Sequence, residues 1–564
     1  MASQLCYAAN NGCQTNLVNL EAGTYSAVIT PPYDGDRTMS FKSTLSTDVT
    51  GTLAADKVQT LTLGRRGQNG RLSFAGTAGQ TVALQVAAQA TAPADRLTYY
   101  TVYKPDGAVL NSTSAGSNGT SATTLNLPNL PATGTYTVFV DPYQGETLST
   151  QLTLATGTTS GQVTNGASGS FATSIPQQNV YLTFTATAGQ NLGLALSDLV
   201  TPNTTNYAYL TVYKSDGGAV ASQLCYAANN GCQTNLVNLE AGTYSAVITP
   251  PYDGDRTMSF KSTLSTDVTG TLAADKVQTL TLGRRGQNGR LSFAGTAGQT
   301  VALQVAAQAT APADRLTYYT VYKPDGAVLN STYAGSNGTS ATTLNLPNLP
   351  ATGTYTVFVD PYQGETLSTQ LTLATGTTSG QVTNGASGSF ATTVPGQNVY
   401  LTFTATAGQN MGFALSNLVT PNSTNAVYFV VYRADGAGIA SQNCYVSSGG
   451  CQVNLANLDA GTYSVVITPP YNGDQTMSFK STLSTDVTGT LVADKVQTLT
   501  LGRRGQNGRL SFAGTAGQTV ALQVAGQTTV PAERTTYYTV YKPDGAHLNS
   551  VGATSEATLE RVMN

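Results

Sequence analysis

The sequence predicts an all-β chain: a tandem array of antiparallel β-sandwich modules, each of about 110 residues, the size of a small sandwich domain. Three observations carry this expectation. Short segments alternate apolar residues with Thr, Gln and Ser, the period of a strand with one buried face. Turn residues separate these segments at short, fairly regular intervals. And the chain repeats: Ala2-Ser3-Gln4-Leu5-Cys6 returns at 221–225 and, with Asn443 in place of Leu, at 440–444, an offset of 219 each time.

Residues 2–173 and 221–392 are identical apart from Ser114 against Tyr333. The 219-residue unit is itself double. Its halves, A and B, share landmarks in the same order: Phe74 to Gln80 answers Phe184 to Gln190, Tyr103-Lys104-Pro105-Asp106-Gly107 answers Tyr213-Lys214-Ser215-Asp216-Gly217, and Gly134-Thr135-Tyr136 answers Gly242-Thr243-Tyr244. The expected order is a partial B (1–47), A (48–155), B (156–266), A (267–374), B (375–485) and a partial A with a divergent tail (486–564). Both ends cut a module, so the sequence reads as a fragment of something longer.

Within A, strands are expected at Val58–Leu63, Arg71–Gly76, Thr81–Ala88, Thr98–Lys104, Ala122–Leu127, Gly134–Pro142 and Leu148–Thr156. In the sixth, Tyr136, Val138 and Val140 share one face, and Phe139 is an apolar exception on the other. Pro142 cannot donate to a ladder and ends the pairing. Ala78-Gly79-Gln80 and Pro105-Asp106-Gly107 are turns. The tail from Ser555 to Met563, alien to the repeat, reads as a helical turn or two.

Charged residues make up 10% of the chain, against roughly 25% in an average soluble protein. With a net charge of −3 and no basic stripe, nucleic acid is not an expected partner. Arg65-Arg66, repeated at 284–285 and 503–504, is the only recurrent basic pair and reads as a solvated turn. No apolar run is long enough for a membrane helix, and residues 1–20 lack the pattern of a signal peptide.

The six cysteines fall in pairs confined to B: Cys6 and Cys13, Cys225 and Cys232, Cys444 and Cys451. Each pair flanks a Gly-containing hairpin tip, so disulfides formed in an oxidising compartment are expected. The rival, zinc, needs four ligands and has two. His547 is the only histidine and stands where the other copies have Val109 and Val328, which excludes a repeated Ser-His-Asp device. Asp34 and Asp36, with Asp253 and Asp255, sit in Pro-Tyr-Asp-Gly-Asp turns and are the candidate calcium ligands, although the spacing of a full calcium loop is absent. Asp141 and Glu146 flank the matching turn in A, with no sign of the cleft a glycosidase needs. Tyr is frequent, at 30 residues, and Tyr99-Tyr100-Thr101-Val102-Tyr103 must expose some of its rings.

On Phe74 to Val82, Tyr103 to Gly107 and Leu130 to Val138, the module resembles the bacterial pre-peptidase C-terminal domains. The resemblance implies export and an accessory role beside other domains. The family pattern holds no catalytic residue to carry over, and the acidic linker that binds calcium in some relatives has no counterpart here. The expectation is a non-catalytic structural repeat region of a bacterial extracellular or cell-surface stalk, adhesin or fibre, without a cofactor. Its partners would be neighbouring modules and further copies in a fibre. The alternative is an accessory module that binds a glycan or a host or cell-surface protein.

Overall fold

In the computed structural model the chain is almost all β, and every residue is described except 1–3, 9–11, 32–37, 117–121, 252–256, 336–340, 471–474, 533, 555–556 and 563–564. It divides into two compact units, residues 1–376 with 393–395, and residues 377–392 with 396–564.

The first unit begins its regular structure at β1 (Val49–Thr52), followed by β2 (Val58–Leu63), β3 (Gly70–Gly76), β4 (Val82–Ala92), β5 (Thr98–Tyr103), β6 (Val109–Ala115), β7 (Thr123–Leu127), β8 (Gly134–Pro142) and β9 (Thr147–Ala155). They form a five-stranded sheet, β1-β3-β8-β5-β6, and a four-stranded sheet, β2-β9-β4-β7. Leu72, Phe74, Tyr136 and Val138 from one sheet share a single buried cluster with Leu61, Leu84 and Leu152 from the other. Residues 267–374 repeat both sheets and this core.

β8 lies at the centre of its sheet. Tyr136, Val138 and Val140 are buried, as alternation requires. Phe139 faces outward beneath the Arg71 guanidinium, 4.3 Å from its ring centre, which explains the apolar exception. Two strands were not legible: β1 is only four residues, and β6 is rich in Ser and Asn. β1 also pairs with β3 in parallel, so the antiparallel expectation fails at one ladder per module.

The Gly-Thr-Tyr landmark has a physical cause. Tyr136 Oη donates to the carbonyl of Ala132, four residues upstream, at 2.7 Å, and its ring stacks on Phe74. The same bond is made by Tyr355 to Ala351, Tyr244 to Glu240, Tyr463 to Asp459 and Tyr25 to Glu21. Tyr355→Phe, which keeps the ring and leaves that carbonyl without its donor, is expected to cost ~1 kcal/mol. Thermal unfolding of the variant checks this.

The B segment carries β10 (Ser160–Gln162), β11 (Ser168–Ala172), β12 (Val180–Ala186), β13 (Gln190–Val200), β14 (Tyr207–Lys214), β15 (Ala219–Tyr226), β16 (Gly231–Leu239), β17 (Gly242–Thr249) and β18 (Ser259–Thr266). The order is that of A, β10-β12-β17-β14-β15 and β16-β13-β18-β11, but a bridge between Tyr226 and Gly231 joins the two into one nine-stranded sheet. The Cys225–Cys232 disulfide closes this corner, with Cα atoms 4.7 Å apart and both sulfurs buried.

Residues 4–47 are identical in sequence to 223–266, yet their described part forms no strand, only a bridge between Tyr7 and Gly12. Tyr25 is 56% exposed where Tyr244 is 3%, and Phe41 is 57% exposed where Phe260 is 3%. β17 exists because β12 and β14 flank it. Among the described residues no strand pairs with Gly23–Thr30, and a segment without a ladder leaves its backbone groups unpaired by strands.

The second unit holds another five-stranded and another four-stranded sheet over Ser379–Thr485, with one shared core. Beyond it, Val496–Leu501 repeats the β2 sequence without forming a strand, because the copy of β9 that would pair with it is missing. The tail corrects the helical expectation: Ala557–Val562 is a strand, antiparallel to Thr519–Val524. Leu559 stands opposite Leu522, as Leu125 stands opposite Leu84 in the first A. The tail therefore takes the place of β7. An open strand edge templates pairing in a foreign sequence.

Candidate binding cleft at the junction of B and A

In the first unit, consecutive modules dock without a free linker. After A, Thr156 donates its N–H to Asp56 Oδ1 at 2.9 Å, and Ala83 and Ala155 are buried against Ile175 of the following B. Asn126 and Thr124 bond the Pro176–Gln177 turn. One end of the outer face of the four-stranded sheet, at Ala83 and Ala155, is therefore buried, while Thr60, Thr62 and Gln151 on the same face stay exposed.

The junction from B into the next A is more polar. Gln233 on β16 donates to Asn288 Oδ1 at 2.7 Å. Asn288 donates to Asn235 Oδ1 at 2.9 Å and to Asp267 Oδ1 at 3.1 Å. Arg290 holds the other oxygen of Asp267 at 2.6 Å. Asn235 donates to Asp360 Oδ2 at 3.0 Å. The backbone approaches as closely: a β-carbon on Gly193 would overlap the carbonyl oxygen of Gly286.

Asp360 is the penultimate residue of the strand equivalent to β8, Gly353–Pro361, beside the Tyr362–Gly364 turn. Burial pushes its carboxyl up to about 6. The hydrogen bond from Asn235 opposes the shift, nearby Asp267 adds to it, and Arg290 opposes it. The equivalent Asp141 is raised for the same leading reason and accepts from Asn16 Nδ2 at 3.2 Å. Gln223, Gln233, Asn235, Tyr318, Asp360 and the Pro361–Gln363 turn line a polar cleft of about 200 Å³.

The sequence-based candidates distribute as follows. All six cysteines are paired: Cys6 with Cys13, Cys225 with Cys232, Cys444 with Cys451, the state an oxidising compartment sustains. Asp34, Asp36, Asp253 and Asp255 lie outside the described residues, and among the described residues no cluster of three His, Cys, Asp or Glu side chains suits a metal. Asp141 and Glu146 do flank the Tyr143–Gly145 turn, with Glu146 buried beside Arg96. Glu365, its counterpart, is pushed up by burial and countered by Arg315 and Arg285. The solvated-turn reading of the Arg pair holds for Arg65, Arg503 and Arg504, which are exposed, and fails in the middle copy, where Arg284 and Arg285 are half-buried and the carbonyl of Arg285 accepts from Ser265 Oγ at the end of B. His547 is exposed and meets only the edge of Tyr541 among described rings. Tyr99 is exposed, whereas Tyr100 is buried and donates to Gln89 Oε1 at 2.6 Å.

Sequence reasoning missed Gln233, Asn235, Asp267, Asn288 and Arg290. They recur at the 219-residue offset, but so does nearly every other residue, so recurrence gave no contrast.

No family model matches the chain, and no curated protein is similar to it. Among solved structures, it aligns with the M60 catalytic domain of Clostridium perfringens ZmpB with its CBM51-1 and CBM51-2 domains at 7% identity and a TM-score of 0.13, covering 68% of this chain and 52% of that one. It also aligns with the CUB1-EGF-CUB2 domains of rat MASP-1 (11% identity, TM-score 0.13, 37% of this chain and 99% of that one) and of human MASP-1/3 (9%, 0.12, 36% and 99%). The chain thus spans about half the length of the first of these structures. At such scores the alignments carry no argument about this chain's fold or its function.

Proposed function

We propose that this chain is a non-catalytic structural repeat region of a bacterial extracellular stalk, adhesin or fibre, built of tandem β-sandwich modules of the pre-peptidase C-terminal type. The observation that carries the reading is the junction. Modules of unlike type are locked edge to edge by backbone contact and buried side-chain bonds, as at Gly193, Asn235 and Asn288 in the first unit. A spacer needs this, and a catalytic domain does not. The Tyr136 bond back to Ala132, a device of sandwich folds, supports the module type. Paired cysteines support an extracellular setting.

The same docking favours a second architecture, a continuous β-solenoid in which each repeat leans only on its neighbours. Mechanical unfolding of the full chain separates the two. Separate modules of about 110 residues give discrete extensions near 350 Å at ~3.4 Å per residue. Reduction lengthens those of the B type by ~24 Å, as the residues between Cys225 and Cys232 are released. Many short, graded steps without that increment would reject the module array. A second function, as an accessory module binding carbohydrate or protein, is favoured by the cleft beside Asp360.

A further inference from the structure

The cleft between B and A is small, polar and built from residues held by other contacts. At about 200 Å³ it falls below the roughly 300–1,000 Å³ of sites for drug-sized ligands. It therefore suits one ring rather than a peptide. Asp360 is fixed by Asn235 through one carboxylate oxygen, which leaves the other oxygen as an acceptor. Gln223 adds a carboxamide that both donates and accepts, and Tyr318, 44% exposed, adds an aromatic wall. No Lys or Arg side chain lines the cleft, so a phosphate, sulfate or uronate would meet a carboxylate and no cation on the lining.

The hydrogen-bond chain that holds Asp360 occurs twice in the first unit. At the earlier junction Gln14 donates to Asn69 at 2.7 Å, Asn69 donates to Asn16 at 2.9 Å, and Asn16 donates to Asp141. Tyr99 there occupies the position of Tyr318 and is likewise exposed. In the last repeat the sequence diverges before a third Asp360 equivalent is reached.

We propose that the cleft beside Asp360 binds one neutral hexopyranose ring and that the matching residues at the earlier junction form a second such site, with Asp360 or Asp141 accepting from a pair of vicinal hydroxyls, Asn235 or Asn16 orienting that carboxylate, and Tyr318 or Tyr99 covering the apolar face of the sugar. A carboxylate beside a carboxamide matches the alternating donors and acceptors of a vicinal diol. An aromatic face suits the C–H side of a pyranose. The inference rests on the carbohydrate-binding reading above and is independent of the stalk reading.

The test uses the full chain and four probes: the methyl glycosides of glucose, galactose and mannose, and methyl glucuronide as the anionic control. Saturation-transfer NMR and calorimetry are expected to show binding of at least one neutral glycoside, with a Kd on the order of 1 mM and two sites per chain. Tyr318→Ala should leave one site. Tyr99→Ala with Tyr318→Ala should leave none, with thermal unfolding unchanged because both rings lie outside the core. Should either variant unfold, Gln223→Ala with Gln4→Ala provides a second pair, expected to weaken affinity several-fold. Failure of all neutral glycosides to bind, binding that survives the double Tyr variant, or equal binding of the glucuronide would overturn the proposal. None of these outcomes alters the unfolding steps that test the module array.

Discussion

Gly193→Ala is expected to lower the stability of the first unit by about 3 kcal/mol, the upper end of the cost of overpacking. The added methyl would occupy the space of the Gly286 carbonyl oxygen, a backbone atom of the next module. No rotamer can relieve such an overlap, so the junction must open or the strand must shift. β13 is anchored on both sides by β16 and β18, which leaves opening as the easier response. Gly283→Ala is the control. It lies in the same turn region, with nothing within 4 Å of its added β-carbon, and should be nearly neutral. Calorimetry of the full chain reads both. Equal melting temperatures for the two variants would show that the junction bears no strain.

Asp360→Asn should act in the opposite direction at neutral pH. The folded carboxyl titrates near 6, above its usual value of 3.8, chiefly because it is buried. The folded state therefore holds the proton more tightly than the unfolded one. Stability is greatest below the unfolded value and falls as pH rises from about 4 through about 6. Above that window the charged group costs up to about 3 kcal/mol. The carboxamide keeps an acceptor for Asn235 and removes the charge. The variant is expected to be more stable than the parent at pH 7, equal to it near pH 4, and less dependent on pH between, with the other buried carboxyls still contributing. Unfolding midpoints in urea across this range decide the matter. A parent whose stability rises with pH there would refute the assignment.

What the sequence disclosed was set by whether a residue's role is local. The faces of β8 were legible because alternation is a local property, and even Phe139 was marked as an exception before Arg71 explained it. β6 was not legible, since Asn111, Ser112 and Ser114 carry no apolar rhythm and the strand exists because β5 offers it an edge. The half-burial of Arg285 depends on Ser265 of the preceding module. The environment of Asp360 is completed by Asn235, 125 positions away in the chain. Contacts of that range leave no periodic trace. Near-identical repeats also hide which of their shared residues matter.

The two fates of one sequence, strandless at 4–47 and fully paired at 223–266, bear on how such a chain leaves the ribosome. The Gly-Thr-Tyr strand of each module, β8 between β3 and β5 or β17 between β12 and β14, is the eighth of nine to be synthesised. Until it emerges, the strands on either side of it have no common neighbour. Neither sheet of a module can therefore be completed before its last two strands, β8 and β9 or β17 and β18, have arrived. By then the front of a dissimilar module is following, while the nearest near-identical segment is 219 residues distant. Alternating A with B thus keeps interchangeable strands apart during the interval in which exchange between modules is easiest.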